Sequence, residues 1–268
     1  LYDIDITKDI SSVFEENVIE NVFHLAERSS VKESMELPEL YLNSNTIGSM
    51  NLIDTCKKYK VKNFIYSSSA AVYGISSSFK EEDVKKPINP YGIAKSYIEE
   101  YLKFSGLNYY CMRYFNASGA DKSLRYGEKH NPETHLIPIV IDRILNNKDI
   151  DVYGNDYNTK DKTCVRDYIH IDDINDAHIN IINHESGIYN IGSGVGYSIL
   201  DIISKIEEYT NKRANINFMS RRSGDPDILI ADNKKLINSG IPINNNLDDI
   251  IKTAVKFYEK SLHSTLII

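Results

Sequence analysis

The sequence predicts an α/β fold: a doubly wound parallel sheet joined to a smaller α+β lobe. Three observations predict it. Short apolar runs recur at 21–26 ("NVFHLA"), 63–69 ("NFIYSSS") and 109–116 ("YYCMRYFN"). Stretches of helical periodicity, 39–59 and 91–105, separate them. Strand, helix, strand, helix implies parallel strands with crossover helices. Within the runs, Val22, Phe23 and Leu25 and then Phe64, Ile65 and Tyr66 give little alternation, as in strands covered on both faces.

After residue 118 the alternation loosens. Residues 119–133 are polar and loop-like, and helices are predicted at 134–147 and 172–184. Strand candidates are "DVYG" (151–154), "RDYIHIDD" (166–173) and "GIYNIGSG" (187–194). A helix follows over 198–210, then a strand and loop over 216–225, then helices near 232–239 and 247–262. Two domains result: 1–118, to which 165–193 returns, and 119–164 with 194–268. The charge run "EEDVKK" (81–86) reads as a solvated loop.

Composition excludes several classes. A net charge of -7 argues against a nucleic-acid surface. No apolar run is long enough to span a bilayer, and the N-terminus lacks a secretory layout. Cys56, Cys111 and Cys164 are odd in number and far apart, which favours a reducing, cytoplasmic setting over a disulfide framework. The histidines show no His-Glu-x-x-His spacing, so no metal is expected, and His24 and His170 read as satisfied core residues.

The chemistry concentrates in "NPYGIAK" (89–95). Asn89 and Pro90 suit a helix start, the first as cap and the second at the first helical position. Tyr91 and Lys95, four residues apart, then share one helix face. A phenol serves as a base near neutral pH only where its phenolate is favoured. A neighbouring ammonium and the positive end of a helix both act in that direction. The strand "NFIYSSS" ends in hydroxyls, and ligands of open parallel sheets sit at the carboxyl ends of strands. Ser69 is the functional candidate there, whereas Ser67 reads as part of a solvated turn. Removing a proton and a hydride together oxidises an alcohol, so a nicotinamide is the partner this base calls for.

These motifs resemble the extended short-chain dehydrogenase/reductases, and within them the sugar-nucleotide 4-epimerases. The similarity runs along nearly the whole chain: "HLAERSSVKES" (24–34), "MRYFNASGA" (112–120), "PETHLIP" (132–138), "YGNDYNTKDKTCVRDYIHIDD" (153–173), "YNIGSG" (189–194) and "RRSGDP" (221–226). The resemblance implies a Rossmann-like NAD-binding domain and a UDP-sugar domain. It implies interconversion of UDP-galactose and UDP-glucose through a 4-keto intermediate. Tyr91 would be the base, Lys95 would hold the nicotinamide ribose, and Ser69 would bond the sugar 4-hydroxyl. Asp3, Ile4, Leu25, Ala26 and Phe115 would contact NAD. Asn116, His135, Leu136, Tyr153, Arg166, Arg222 and Asp225 would hold the UDP-sugar. Arg166 and Arg222 suit a diphosphate, because guanidinium pairs bidentately with phosphate oxygens. A homodimer through the helices at 39–59 and 91–105 is also implied.

Departures accompany the likeness. The family's glycine-rich loop and first two strands have no counterpart before Asp3, so the chain reads as an N-terminally truncated fragment with weakened NAD binding and activity. Ser29 stands where some members carry a cofactor-binding lysine, and Leu229 lies near a position that influences entry of N-acetylated sugars. Ala70 and Ala71 stand where the related 4,6-dehydratases carry an Asp-Glu pair, which disfavours that chemistry. A UDP-N-acetylglucosamine 4-epimerase and a non-catalytic sugar-nucleotide-binding remnant are the alternatives.

Overall fold

The apolar runs and the periodic stretches become strands and helices in the predicted order. In the computed structural model, which describes residues 1–222 and 224–264, the chain begins with α1 (Ser11–Glu16), β1 (Asn21–His24), α2 (Val31–Glu36) and α3 (Pro38–Tyr41). A π-helical segment (Leu42–Ile47), α4 (Gly48–Lys58), β2 (Asn63–Ser69) and a short 3-10 turn (Ala70–Val72) follow. Next come α5 (Pro90–Leu102), β3 (Asn108–Tyr114), β4 (Asn116–Ser118), α6 (Leu136–Leu145), β5 (Asp149–Tyr153) and β6 (Val165–His170). The remainder is α7 (Ile171–Ile181), β7 (Gly187–Ile191), β8 (Gly196–Ser198), α8 (Ile199–Thr210), β9 (Asn215–Met219), β10 (Ile228–Leu229), α9 (Lys234–Asn238) and α10 (Leu247–Ser264). The chain divides into two units, Leu1–Tyr114 with His178–Asn190, and Phe115–Ala177 with Ile191–Ile268.

The first unit is built on a sheet of order β1-β2-β3-β7. β1 and β2 run parallel, with His24 beside Tyr66, and β2 and β3 run parallel, with Ser69 beside Tyr114. Ile53 and Cys56 of α4, Phe64 and Tyr66 of β2, Ile98 and Leu102 of α5 and Cys111 of β3 are fully buried together. Each such side chain stabilises the fold by about 1.5–3 kcal/mol relative to exposure. The helix expected over 39–59 forms, but its middle is π-helical. Asn45 in that segment is buried, and its amide clamps both the N–H (3.0 Å) and the C=O (2.8 Å) of Arg28. The wider turn thereby anchors the loop that follows β1.

A buried ionic cluster seats α5 on the sheet. Arg113 of β3 and Glu99 of α5 are both fully buried and pair through two bonds of 2.8 and 2.7 Å. Ser68 of β2 donates to Glu99 at 2.5 Å, and the Lys85 ammonium adds a contact at 3.1 Å. Burial alone pushes the Glu99 carboxyl up, but Arg113 and Lys85 outweigh it and hold it below its ordinary 4.5. The cluster therefore stabilises the fold above about pH 4.5 and loses that contribution as pH falls further. Residues 81–86 form the loop that their charges suggest, with Glu82, Val84 and Lys86 exposed, but two of its groups reach inward. Lys85 reaches Glu99, and the Glu81 carbonyl accepts from Arg113 at 3.2 Å, because a buried arginine needs acceptors for all its N–H groups.

The second unit has a β10-β6-β4 sheet, with β8 antiparallel to β6, and a separate parallel pair, β5-β9. Its core joins Ile137, Val140 and Ile144 of α6 to Ile202 and Ile206 of α8 and Ile250 of α10. β6 pairs with β4, β8 and β10, so 165–177 belongs to this unit and the return to the first narrows from the expected 165–193 to 178–190. The strand expected through 173 stops at His170. There Nδ1 accepts the Asp172 N–H (3.0 Å), and Asp172 and Asp173 suit the first turn of α7. Among the described residues no helix is long and apolar enough to cross a membrane.

The buried pair generates a stability prediction. Arg113→Met leaves the buried Glu99 with only Lys85 and Ser68 as partners, and should cost about 3 kcal/mol in urea unfolding. Adding Glu99→Leu should recover most of that loss. A single-variant cost under about 1 kcal/mol would show that the pair does not seat the helix.

Candidate active site

The N-terminal turn of α5 forms as its sequence dictates. Asn89 accepts the Gly92 N–H at 2.8 Å, and Pro90 takes the first helical position. Ser69 ends β2 and turns its Oγ to the Ala71 N–H at 3.1 Å, which starts the 3-10 turn. Gly92 brings these two features against each other. A Cβ there would stand 2.6 Å from the Ala71 carbonyl oxygen, so only glycine lets the helix approach that backbone. Tyr91 and Ser69, both half-buried, thus flank one contact. Lys95 is buried one turn along, its Nζ 5.5 Å from the Tyr91 ring centroid and 4.9 Å from that of Tyr66.

Lys95 is not an unpaired cation. Its ammonium contacts the Glu27 carboxylate and the Ser67 carbonyl. An ammonium has three N–H donors, so one remains for a further acceptor. Ser67 is not in a solvated turn. It lies within β2, where its hydroxyl meets the Tyr114 hydroxyl at 3.1 Å, and Tyr114 in turn meets His178 Nε2 at 2.7 Å. Burial pushes the Tyr114 phenol up, out of the range in which it would ionise. Two groups here, Glu27 and the Tyr114–His178 pair, carry no local sequence signal, because their partners lie tens of residues away.

The other expected cofactor contacts are placed as follows. Asp3 and Ile4 lie in an exposed segment before α1. Just beyond them the chain is tied to α4 by Asn51, whose amide donates to the carbonyls of Ile6 and Lys8 at 2.8 and 2.6 Å. Leu25 and Ala26 are exposed just past β1. The donor chemistry at Lys95 and Tyr91 fits a nicotinamide dinucleotide. The free N–H of Lys95 and the Tyr91 hydroxyl suit ribose hydroxyls, and the exposed backbone at 25–26 lies at a strand's carboxyl end. Phe115 is buried in the second unit, its N–H bonded to the Ile191 carbonyl at 3.0 Å.

The second unit gathers most of the expected sugar-nucleotide residues. Arg166 NH1 donates to the Pro226 carbonyl at 2.8 Å, and its NH2 lies 3.7 Å from Asp225. Arg222 is exposed and stacks on the Tyr153 ring at 4.0 Å. Among the described residues Arg222 has no ion pair, so this guanidinium keeps its donors for an anion. Asn116 is committed in part, donating to the Asp167 carbonyl at 2.7 Å. Leu136 opens α6 and His135 precedes it. The His135 ring is exposed and contacts Glu128, which raises its basicity. Glu128, His130, Glu133 and His135 place their donor atoms within 4.8 Å of one another, a grouping not apparent from the histidine spacing.

A parallel sheet, a hydroxyl-tipped strand and a tyrosine-lysine helix turn define a nicotinamide-dependent class of enzyme. The chain belongs to the NAD dependent epimerase/dehydratase family, whose model matches residues 1–192. It is 39% identical over 248 residues to UDP-glucose 4-epimerase of Halalkalibacterium halodurans, covering 87% of this chain and 74% of that protein. It is 37% identical to UDP-glucose 4-epimerase of Lactobacillus helveticus over 96% of this chain and 82% of that one. Among solved structures it resembles UDP-glucose 4-epimerase from Bifidobacterium longum in complex with NAD+ and UDP. That match has a TM-score of 0.90 and 33% identity, over 97% of this chain and 83% of that chain. It also resembles the Stenotrophomonas maltophila enzyme with bound NAD and formylated UDP-arabinopyranose, with a TM-score of 0.93 and 30% identity over 97% and 83%.

Proposed function

We propose that this chain catalyses the reversible NAD-dependent interconversion of UDP-galactose and UDP-glucose. The observation that carries the reading is the α5 turn. It holds Tyr91 and Lys95 on one face, against the backbone that follows Ser69. The identity to curated 4-epimerases over most of the chain supports it.

Tyr91 takes the proton of the sugar 4-hydroxyl. Ser69 bonds that same oxygen and fixes it for transfer. The Lys95 ammonium and the positive end of α5 favour the phenolate that does this work. NAD, when bound, would supply a nicotinamide ring able to take up a hydride and give it back. Loss of proton and hydride leaves a planar 4-keto carbon, which can be reduced on either face. Tyr91, now carrying the proton, gives it back to the oxygen. Reduction on the opposite face inverts C4, so the cofactor would not be consumed. Lys95 holds the nicotinamide ribose through its remaining N–H. Asp3, Ile4, Leu25, Ala26 and Phe115 complete the cofactor contacts. Arg166 and Arg222 neutralise the diphosphate, while Asn116, His135, Leu136, Tyr153 and Asp225 hold the rest of the UDP-sugar.

The three cysteines are free and buried, which supports a reducing, cytoplasmic setting. A homodimer is supported by exposed apolar side chains on two helical segments, Leu40 and Ile47 on one and Ile93 and Tyr97 on α5. The last two are four apart and share a face.

Two measurements test these readings. In the NAD-loaded protein, Tyr91→Phe should lower UDP-galactose to UDP-glucose turnover by about 10²–10⁴-fold with the melting temperature preserved. Equal turnover would remove Tyr91 as the base. In analytical ultracentrifugation the chain should sediment as a dimer, and Ile93→Asp with Tyr97→Asp should give a monomer. A monomeric parent would refute the dimer.

A further inference from the structure

Beside the α5 turn lies a buried carboxylate that the mechanism above leaves unused. Glu27 follows β1, and its side chain is 3% exposed. One oxygen accepts from the Ser49 hydroxyl at 2.7 Å and from the Tyr66 hydroxyl at 3.1 Å. The other contacts the Lys95 ammonium. Behind it, His24 Nε2 meets Ser49 Oγ at 2.7 Å. Burial lowers the His24 imidazole to about 4, so it is neutral near pH 7. Ser49 uses its hydroxyl proton on Glu27, so His24 Nε2 carries the proton and donates to Ser49. A directed chain results: His24 to Ser49 to Glu27, met from the other side by Lys95. Glu27 is fixed by three donors and cannot turn away from the lysine.

We propose that Glu27 is a positioning residue of the epimerase site: it fixes the Lys95 ammonium and offsets part of its charge, and so sets the pH range in which Tyr91 acts as base. The proposal rests on the reading of Tyr91 and Lys95 given above. A buried carboxylate in contact with an ammonium opposes the loss of a proton from any group nearby. Taking the negative charge away removes that opposition beside Tyr91, so activity that needs Tyr91 as base should persist to lower pH.

Among the described residues the titratable groups beside this pair include His24 of β1, Tyr66 of β2 and Tyr114 of β3, with Cys111 beside Tyr66 and His178 of α7 in contact with Tyr114. Burial raises Tyr66, Cys111 and Tyr114, so none of them carries charge near neutral pH. His178 is the titratable neighbour that a control variant must remove.

The test is the pH dependence of kcat/KM for UDP-galactose in the NAD-loaded full chain. Glu27→Gln should move the acid limb down by about one pH unit or more. Glu27→Asp withdraws the charge by one methylene and should move the limb the same way by a smaller amount. His178→Gln should leave the limb in place. A role for Glu27 in packing alone lowers kcat or the melting temperature without moving the limb. If the Gln variant does not fold, the Asp variant decides. A limb unmoved in a folded Glu27 variant, or a limb abolished by His178→Gln, overturns the proposal. Either result, with Tyr91→Phe still inactive, leaves the epimerase reading standing; an active Tyr91→Phe would fail that reading instead.

Discussion

The seating of α5 on β2 and β3 by a buried ion pair is the constraint on which the first unit's chemistry depends. Arg113 and Glu99 meet through two short bonds with no water-exposed surface. Such a pair contributes little net stability against an apolar substitute, but its geometry is strict. It fixes the helix's position along the strands. One end of the helix is locked by this pair, and the other by the Gly92 approach to the Ala71 backbone. Lys95 lies between those two points and Tyr91 adjoins the Gly92 contact, so their placement follows from packing that neither of them makes.

Charge is distributed with the same economy. Lys95 is buried, yet Glu27 and the Ser67 carbonyl take only two of its donors. An ammonium left wholly unpaired there would pay a desolvation penalty large enough to favour its neutral form. One fully saturated would have nothing to offer a ribose. In the second unit Arg166 is anchored on backbone carbonyls, while Arg222 rests on an aromatic face and keeps its edge free.

Much of this was legible in the sequence where the signal is local. The strand 63–69, the helix from Asn89–Pro90, and the Tyr91–Lys95 spacing each depend on residues within one turn or one run, and each formed as read. The parts that were not legible depend on distant partners. Ser67 looks like turn residue until Tyr114 is placed opposite it, and "EEDVKK" looks solvated until Lys85 meets Glu99. Glu27 lies 68 residues from Lys95, and nothing in "HLAERSS" announces a buried acid. The π turn at 42–47 likewise answers to Arg28, outside its own helix. The strand expected from 166 begins one residue earlier, at Val165, but its sheet partners, which decide the unit it joins, are β4, β8 and β10.

The central claim is that Tyr91 and Lys95 form one proton-handling unit at the head of a seated helix. A double-mutant cycle on kcat tests it most directly, with Tyr91→Phe, Lys95→Met and the double variant compared at equal NAD occupancy. Residues that act as a unit lose their function once, so the double variant should be within a few fold of the slower single variant. Losses that multiply would mean that the phenol and the ammonium act independently, and would contradict the account.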